Sequence, residues 1–359
     1  AHTPRPRARP GARVEQRPDD WLEALAAACH RCLGEGDGVD VTAVVCSGQM
    51  QDVVAIGANR LVREWALLYS DARAAAQASA VEDALGTRVA DLANYKGAAS
   101  CLAKWLWLAE CEPDALARAD GLLLGAHSYL AWALSGGDAR VCDRTTAATT
   151  GLLDARTGAF APWAVEALGL DPRLLPRLAA ADEVLGQVTA SVVERLGLPR
   201  ALEGATLVHG CGDLGATTLG AGAATYAYLG TSGWLASSRP STRDGGSSDA
   251  ATSGEGIFDV LHPLEGTSIM AASMTTAGGC ATWAAENVLG GVSLQELDAL
   301  AARAAPGCGG LLFMPHIAGE RSPFLDASAR GAFLNVSAAH GQPEFARATL
   351  EGVALGYRS

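Results

Sequence analysis

A chain of 359 residues with 49% hydrophobic and 18% charged side chains has the length for one large domain or two medium ones, each burying a core. Its formal charge of −12, with no basic cluster beyond the first residues, excludes a nucleic-acid footprint. No uninterrupted apolar run reaches membrane-spanning length, so a soluble protein without a membrane partner is expected. Nine scattered cysteines suit a reducing cytoplasm better than a disulfide framework.

The opening AHTPRPRARPGAR reads as an exposed loop, because its prolines forbid an amphipathic transit helix and no apolar signal core follows. From Asp19 a helix is expected, capped by Asp19 or Asp20, with Trp21, Leu22, Leu25, Ala26, Cys29 and Leu33 on one face. Cys29 and Cys32 have C-x-x-C spacing, but without a second pair nearby they read as buried helix thiols rather than a metal or redox half-site. Val41 to Cys46 is a compact β-branched run and reads as a buried strand, followed by Ser47-Gly-Gln-Met50. Open α/β sheets bind ligands just past the carboxyl ends of their strands. Gln49, Met50 and Gln51 are therefore either ligand contacts or a plain strand-to-loop turn. Lys96 to Glu110 has apolar residues at helical spacing, and Ala115 to Leu134 is expected to continue as mostly helix. The threonines of Asp143 to Leu153 are expected to bond locally, and a helix should end at Gly197.

The most informative stretch runs from Gly204 to Trp234, GATLVHGCGDLGATTLGAGAATYAYLGTSGW. Thr206 to Val208 reads as a short strand that His209-Gly-Cys-Gly-Asp213 breaks with glycines, and Leu214 to Leu219 begins a helix beside the Asp213 carboxylate. On turn chemistry alone Asp213 is either a cap or a site residue. Thr225 to Leu229 reads as a second strand, and Gly230-Thr-Ser-Gly233 as either a hairpin turn or a phosphate-cradling nest. Ser237 to Gly256 looks like a flexible excursion. Ile269 to Met274 is a strand, and the Thr275-Thr-Ala-Gly-Gly279 turn either faces a nucleotide or lets the next helix pack closely. Leu311 to Met314 runs into a polar loop, and Glu344 to Tyr357 is strongly helical.

The order GCGDLGATTLGAG, YLGTSGW, GERSPFLDASARGAFLNVS resembles the FGGY family of carbohydrate kinases, from about Gly11 to the last residue. The resemblance implies an α/β, actin-like (ribonuclease H-like) two-domain ATPase fold, with a sugar-binding domain over 1–222 and a nucleotide-side domain over 223–359. In that family the Asp of the G-x-G-D turn is the catalytic base, which gives the role to Asp213 and places it at the substrate. The GTS turn binds phosphate, which assigns Gly230, Thr231, Ser232 and Gly233 to ATP, with Gly278 and Gly279 beside them. Gln49, Met50 and Gln51 would line the sugar pocket. Ser70-Asp-Ala-Arg73 resembles the family's W-x-D-x-R element, which assigns Asp71 and Arg73 to the substrate side. In GERSP, Glu320 and Arg321 would reach towards the interdomain cleft, and Asp326 would pair with Arg330 within the loop.

The implied reaction moves the γ-phosphate of MgATP to a sugar hydroxyl, with ATP and Mg²⁺ required and a pentulose such as xylulose the first candidate acceptor. The metal ligands stay unassigned, and a homodimer is compatible with this reading. Xylulokinase members usually carry S-G-Q-M-H-G, where this chain has Gln51-Asp52 after Met50, so a different hydroxyl pattern is expected. The family's opening D-x-G-T-S/T hairpin and its later G-G-G-A segment have no counterpart here. Truncation at both ends, exposed sheet edges, weak nucleotide binding and little turnover are the corresponding expectations, and a catalytically inactive sugar-binding remnant is the alternative function.

Overall fold

The computed structural model describes residues 7–9, 13–34, 39–58, 60–241, 256–324, 326 and 328–359. Arg7–Arg9 (β1) pairs antiparallel with Arg13–Gln16 (β2), so these residues edge a sheet where an exposed loop was expected. Pro18–Leu33 (α1) starts on a proline whose fixed φ suits a first helical turn. Asp19 and Asp20 lie inside that turn, where they favour the helix dipole, and neither caps it. Trp21 and Leu22 pack into one core cluster and Leu25, Ala26, Cys29 and Leu33 into another. Cys29 is half-buried and Cys32 exposed, where two buried thiols were expected, and all nine cysteines are free.

Ala43–Gly48 (β3) and Met50–Gly57 (β4) are separated by Gln49 alone, so the SGQM segment joins two strands and does not open into a loop. Arg60–Leu61 (β5) and Ala66–Leu67 (β6) follow, then Ala75–Leu85 (α2) and Cys101–Cys111 (α3). The expected helix over Ala115 to Leu134 divides into Pro113–Leu116 (α4), Gly121–Gly125 (β7) and Ala126–Leu134 (α5). β7, GLLLG, is buried at every residue and pairs with β4. A fully buried strand shows no alternation, so its sequence cannot be told from a buried helix. Val141–Asp143 (β8), Arg144–Ala147 (α6), Pro162–Ala167 (α7), Arg177–Ala179 (β9), Val184–Gln187 (β10) and Ala190–Leu196 (α8) lead to Thr206–Gly212 (β11) and Asp213–Ala221 (α9). Gly197 closes α8 in the left-handed region, as its position promised. The run after Asp143 does bond locally: Thr149 Oγ1 donates to the Thr146 carbonyl and Thr150 Oγ1 to that of Ala147.

The contacts divide the chain into two units. The first reaches Ala221 and takes back Val260–Thr267; the second holds Gly222–Arg239 and Ser268–Ser359. In the first unit β1-β2-β6-β4-β5 form a sheet with β7 on β4, and a second sheet has the order β10-β11-β3. The core lies between these strands and the helices α1, α3 and α5, with Trp105, Leu102, Leu108 and Ile56 fully buried.

Past Ala221 come Thr225–Leu229 (β12), Gly233–Pro240 (β13), Ile257–Leu261 (β14) and Thr267–Met274 (β15), a sheet of order β12-β13-β15-β14. Most of the expected Ser237 to Gly256 excursion lies outside the described residues, and its first four residues are the end of β13. Gly278–Asn287 (α10) and Leu294–Ala301 (α11) precede Leu312–Met314 (β16), Ala332–Leu334 (β17) and Gln342–Arg358 (α12). The core of this unit is α10, α11 and α12 packed through Ala284, Leu297, Ala301 and Ala346.

Candidate active site

β11 runs parallel to β3 with Cys211 opposite Ser47 and Gly212 opposite Gly48. Their carboxyl ends are therefore neighbours, and Gln49-Met50 and Asp213 leave the sheet at one edge. Glycine is demanded twice on the way. Gly210 has φ +80°, and a Cβ there would lie 2.0 Å from the Cys46 carbonyl oxygen. A Cβ on Gly212 would meet Met50 Sδ at 2.2 Å and Thr146 Oγ1 at 2.7 Å. The strand, whose pairing with β3 shifts register between Val208 and Gly210, delivers Asp213 as the first residue of α9, with Oδ1 accepting the Leu214 N–H at 2.9 Å.

The Asp213 residue stays exposed to solvent while protein crowds its carboxyl. Desolvation pushes that carboxyl above the ordinary range, the Leu214 N–H and His127 oppose the rise, and the charge of Asp143 adds to it. An exposed carboxylate of raised basicity at the amino end of a helix is equipped to take a proton from a hydroxyl.

The residues assigned to the sugar side divide. Met50 packs directly beneath the Gly212 turn. Gln49 donates its side-chain N–H groups to Asp52 Oδ2 at 3.0 Å and Gln16 Oε1 at 3.3 Å. Gln51 sits at φ 66° and donates to the Thr149 carbonyl at 2.7 Å. Asp71 and Arg73 spend themselves on each other, with Nη2 to Oδ2 at 2.7 Å; Asp71 also accepts the Val14 N–H and Arg73 reaches Glu15 at 2.8 Å. Their place in the structure is a buried network that fixes β2 and rests Arg73 4.8 Å over the Trp107 ring.

Asp52, flagged in sequence only as a departure, is fully buried. Burial pushes its carboxyl up to about 7, against the pull of Gln49, of Lys104 and of the Tyr69 N–H that it accepts at 3.1 Å. Lys104 is equally buried, and desolvation lowers its ammonium while Nζ donates to the carbonyls of Leu68 at 2.7 Å and Gln51 at 3.3 Å. Sequence reasoning also missed His127 and the role of Asp143. His127 Nε2 lies 2.8 Å from Asp143 Oδ2, both residues almost wholly buried. A lone histidine in the first turn of an apolar helix carries no signal, and the run from Asp143 suggested only local bonding by its threonines.

In the second unit the GTSG turn joins β12 to β13, with Thr231 and Ser232 exposed at its tip. The amino end of α10 docks on this turn: Ala277 and Gly279 donate N–H bonds to the Thr231 carbonyl at 2.8 and 3.0 Å, and Gly278 to that of Gly230 at 2.8 Å. Gly278 and Gly279 therefore use their own amides to hold two turns together. Gly233 has no room for a side chain, since a Cβ would fall 1.6 Å from Tyr357 Oη. Glu320, expected to reach out of its loop, is 2% exposed and accepts from the N–H groups of Thr275 and Arg321 and from His316. A carboxylate with three close donors repays its burial inside the fold. Asp326 accepts the Ser328 N–H and hydroxyl, a local turn bond beside the more distant charge of Arg330.

A carboxylate at the end of parallel strands and a glycine-rich turn between antiparallel ones fit an actin-like, ribonuclease H-like α/β fold. Solved structures agree: a ligand-bound xylulose kinase from Lactobacillus acidophilus aligns over 99% of this chain and 71% of its own, with TM-score 0.82 and 22% identity. A gluconate kinase from the same organism aligns over the same shares at TM-score 0.81 and 22% identity. Residues 2–220 match the model of the N-terminal domain of the FGGY family of carbohydrate kinases, and residues 226–359 match that of its C-terminal domain. The chain belongs to the FGGY family of carbohydrate kinases, enzymes of the phosphotransferase class. The xylulose kinase of Lactococcus lactis subsp. lactis is 31% identical over 351 residues, which are 96% of this chain and 67% of that protein. The chain thus spans about two thirds of the length of the relatives that it matches.

Proposed function

We propose that the protein transfers the γ-phosphate of MgATP to a hydroxyl of a sugar, with a pentulose such as xylulose as the first acceptor to test. The observation that carries this reading is Asp213: exposed, raised in basicity, and held on a turn that admits only glycine before it. Asp213 would accept the hydroxyl proton while Gln49 and Met50 border the sugar. The Thr231 and Ser232 tip, flanked by glycines, suits a phosphate group, and the docked amino end of α10 holds that tip in shape. Magnesium would arrive with the nucleotide as part of the substrate and neutralise phosphate charge; among the described residues no three His, Cys, Asp or Glu side chains gather to hold a metal. A reducing, cytoplasmic setting belongs to the same reading.

The test is phosphorus NMR of the pure protein with MgATP and D-xylulose, beside calorimetry of each ligand. A sugar phosphate should form and fall on the order of 10²-fold or more in rate with Asp213→Asn. Heat from the sugar with none from nucleotide, and no product, would favour the inactive binding remnant.

A further inference from the structure

The turn that carries Asp213 is gripped from behind by a carboxylate that phosphoryl transfer itself does not use. Asp143 Oδ2 accepts from His127 Nε2 at 2.8 Å and from the Gly212 N–H at 3.3 Å, and Oδ1 accepts the Thr146 N–H at 2.9 Å. Gly212 is the residue immediately before the base. Asp143 is 1% exposed and His127 0%. Capping α6, a helix of four residues, needs no buried anion, since Ser, Thr or Asn serve at that position. A histidine partner and a bond to the preceding peptide of Asp213 go beyond what the cap requires.

We propose that Asp143, oriented by His127, is a positioning residue that clamps the Gly212 amide and so sets the direction in which Asp213 presents its carboxylate to the sugar hydroxyl. This rests on Asp213 being the base. The clamp explains why Gly212 must lack a side chain: its amide has to approach Asp143 while Met50 and Thr146 close on its Cα. Burial pushes the Asp143 carboxyl up, but the bonds from His127 and Thr146 outweigh it and hold it at about 2, so the clamp stays anionic through the working pH range. The charged and titratable groups facing Asp213 are Asp143 and His127 from behind, Asp52 from β4, and Cys211 from the strand that precedes it. Removing the Asp143 charge takes away one of the influences that raise Asp213.

The experiment uses the full chain labelled with ¹³C at aspartate carboxyls, with the Asp213 resonance assigned by its loss in Asp213→Asn. The wild type, Asp143→Asn, His127→Leu and His127→Gln are titrated by NMR and assayed for sugar phosphorylation. In Asp143→Asn the Asp213 titration should move to lower pH, and kcat should fall on the order of 10²-fold while the sugar KM stays within about twofold. His127→Leu should lose kcat in the same pattern, and His127→Gln, which keeps an N–H donor for Asp143, should recover most of it. An unmoved Asp213 titration and unchanged kcat in a folded Asp143→Asn variant would overturn the proposal, as would equal kcat in the two His127 variants. The titration needs no substrate, so it decides the coupling even where the wild type phosphorylates nothing; that outcome counts against the kinase reading alone.

Discussion

Asp213 must be ionised to accept a proton, and its carboxyl is raised above the ordinary range by desolvation and by the neighbouring Asp143 charge. Activity should therefore fade, as pH drops, at a higher pH than an unperturbed carboxylate near 3.9 would give. The acidic limb of kcat/KM for the sugar locates that point; a limb at or below the unperturbed value contradicts the assignment. Lys104 makes a second argument at this scale. Its ammonium is wholly buried, bonded to two carbonyls, and set against the buried Asp52. Lys104→Met takes a donor from both carbonyls, that of Leu68 keeping only the Asp71 N–H, and leaves Asp52 without its counter-charge, a loss of about 3 kcal/mol. Urea unfolding at pH 8 measures it. Because Asp52 titrates higher in the fold than in the unfolded chain, its own contribution is fullest below about 4 and is lost as pH rises through about 7. The Lys104→Met deficit should accordingly shrink in acid, where Asp52 holds its proton without help.

At the scale of elements, the two parallel strands β3 and β11 explain why the central motif works only with glycine. Gly210→Ala places a Cβ against the Cys46 carbonyl at positive φ and should cost at least about 2 kcal/mol. Gly220, in the same run but with open space around it, should gain about 0.5–1 kcal/mol when changed to alanine inside α9. Thermal melts of the pair separate backbone necessity from mere composition. Part of this element was legible: the β-branched run gives the strand and the small apolar run the helix after Asp213, but the glycines expected to break the strand after Val208 lie within it, since β11 continues to Gly212. The clamp behind it was not, because His127, Asp143 and Gly212 are joined by tertiary contacts across 85 residues of chain, and no local pattern records them. β7 was misread for a different reason, as burial on both faces erases the alternation that marks a strand. Gly278 and Gly279 left two readings open in sequence, and the bonds of their amides to Gly230 and Thr231 are what the backbone adds.

For the whole molecule, each of the two units has its own core and its own share of the assigned groups, with Gln49, Met50 and Asp213 in the first and the GTSG turn in the second. Ligands that bind the native state stabilise it by mass action, about 2.7 kcal/mol at a hundred times Kd. Hydrogen exchange should thus register sugar as protection near the ends of β3 and β11, and nucleotide as protection around Thr231, Ser232 and the start of α10. Sugar protection confined to the second unit would invert the assignment of roles.

Met50, whose thioether lies where any side chain on Gly212 would stand, has a chemical consequence of its own. The residue is only partly buried. Adding one oxygen to that sulfur makes a polar, bulkier sulfoxide in the space against Gly212. Oxidation of Met50 should then lower activity by shifting Asp213, and reduction of the sulfoxide should restore it.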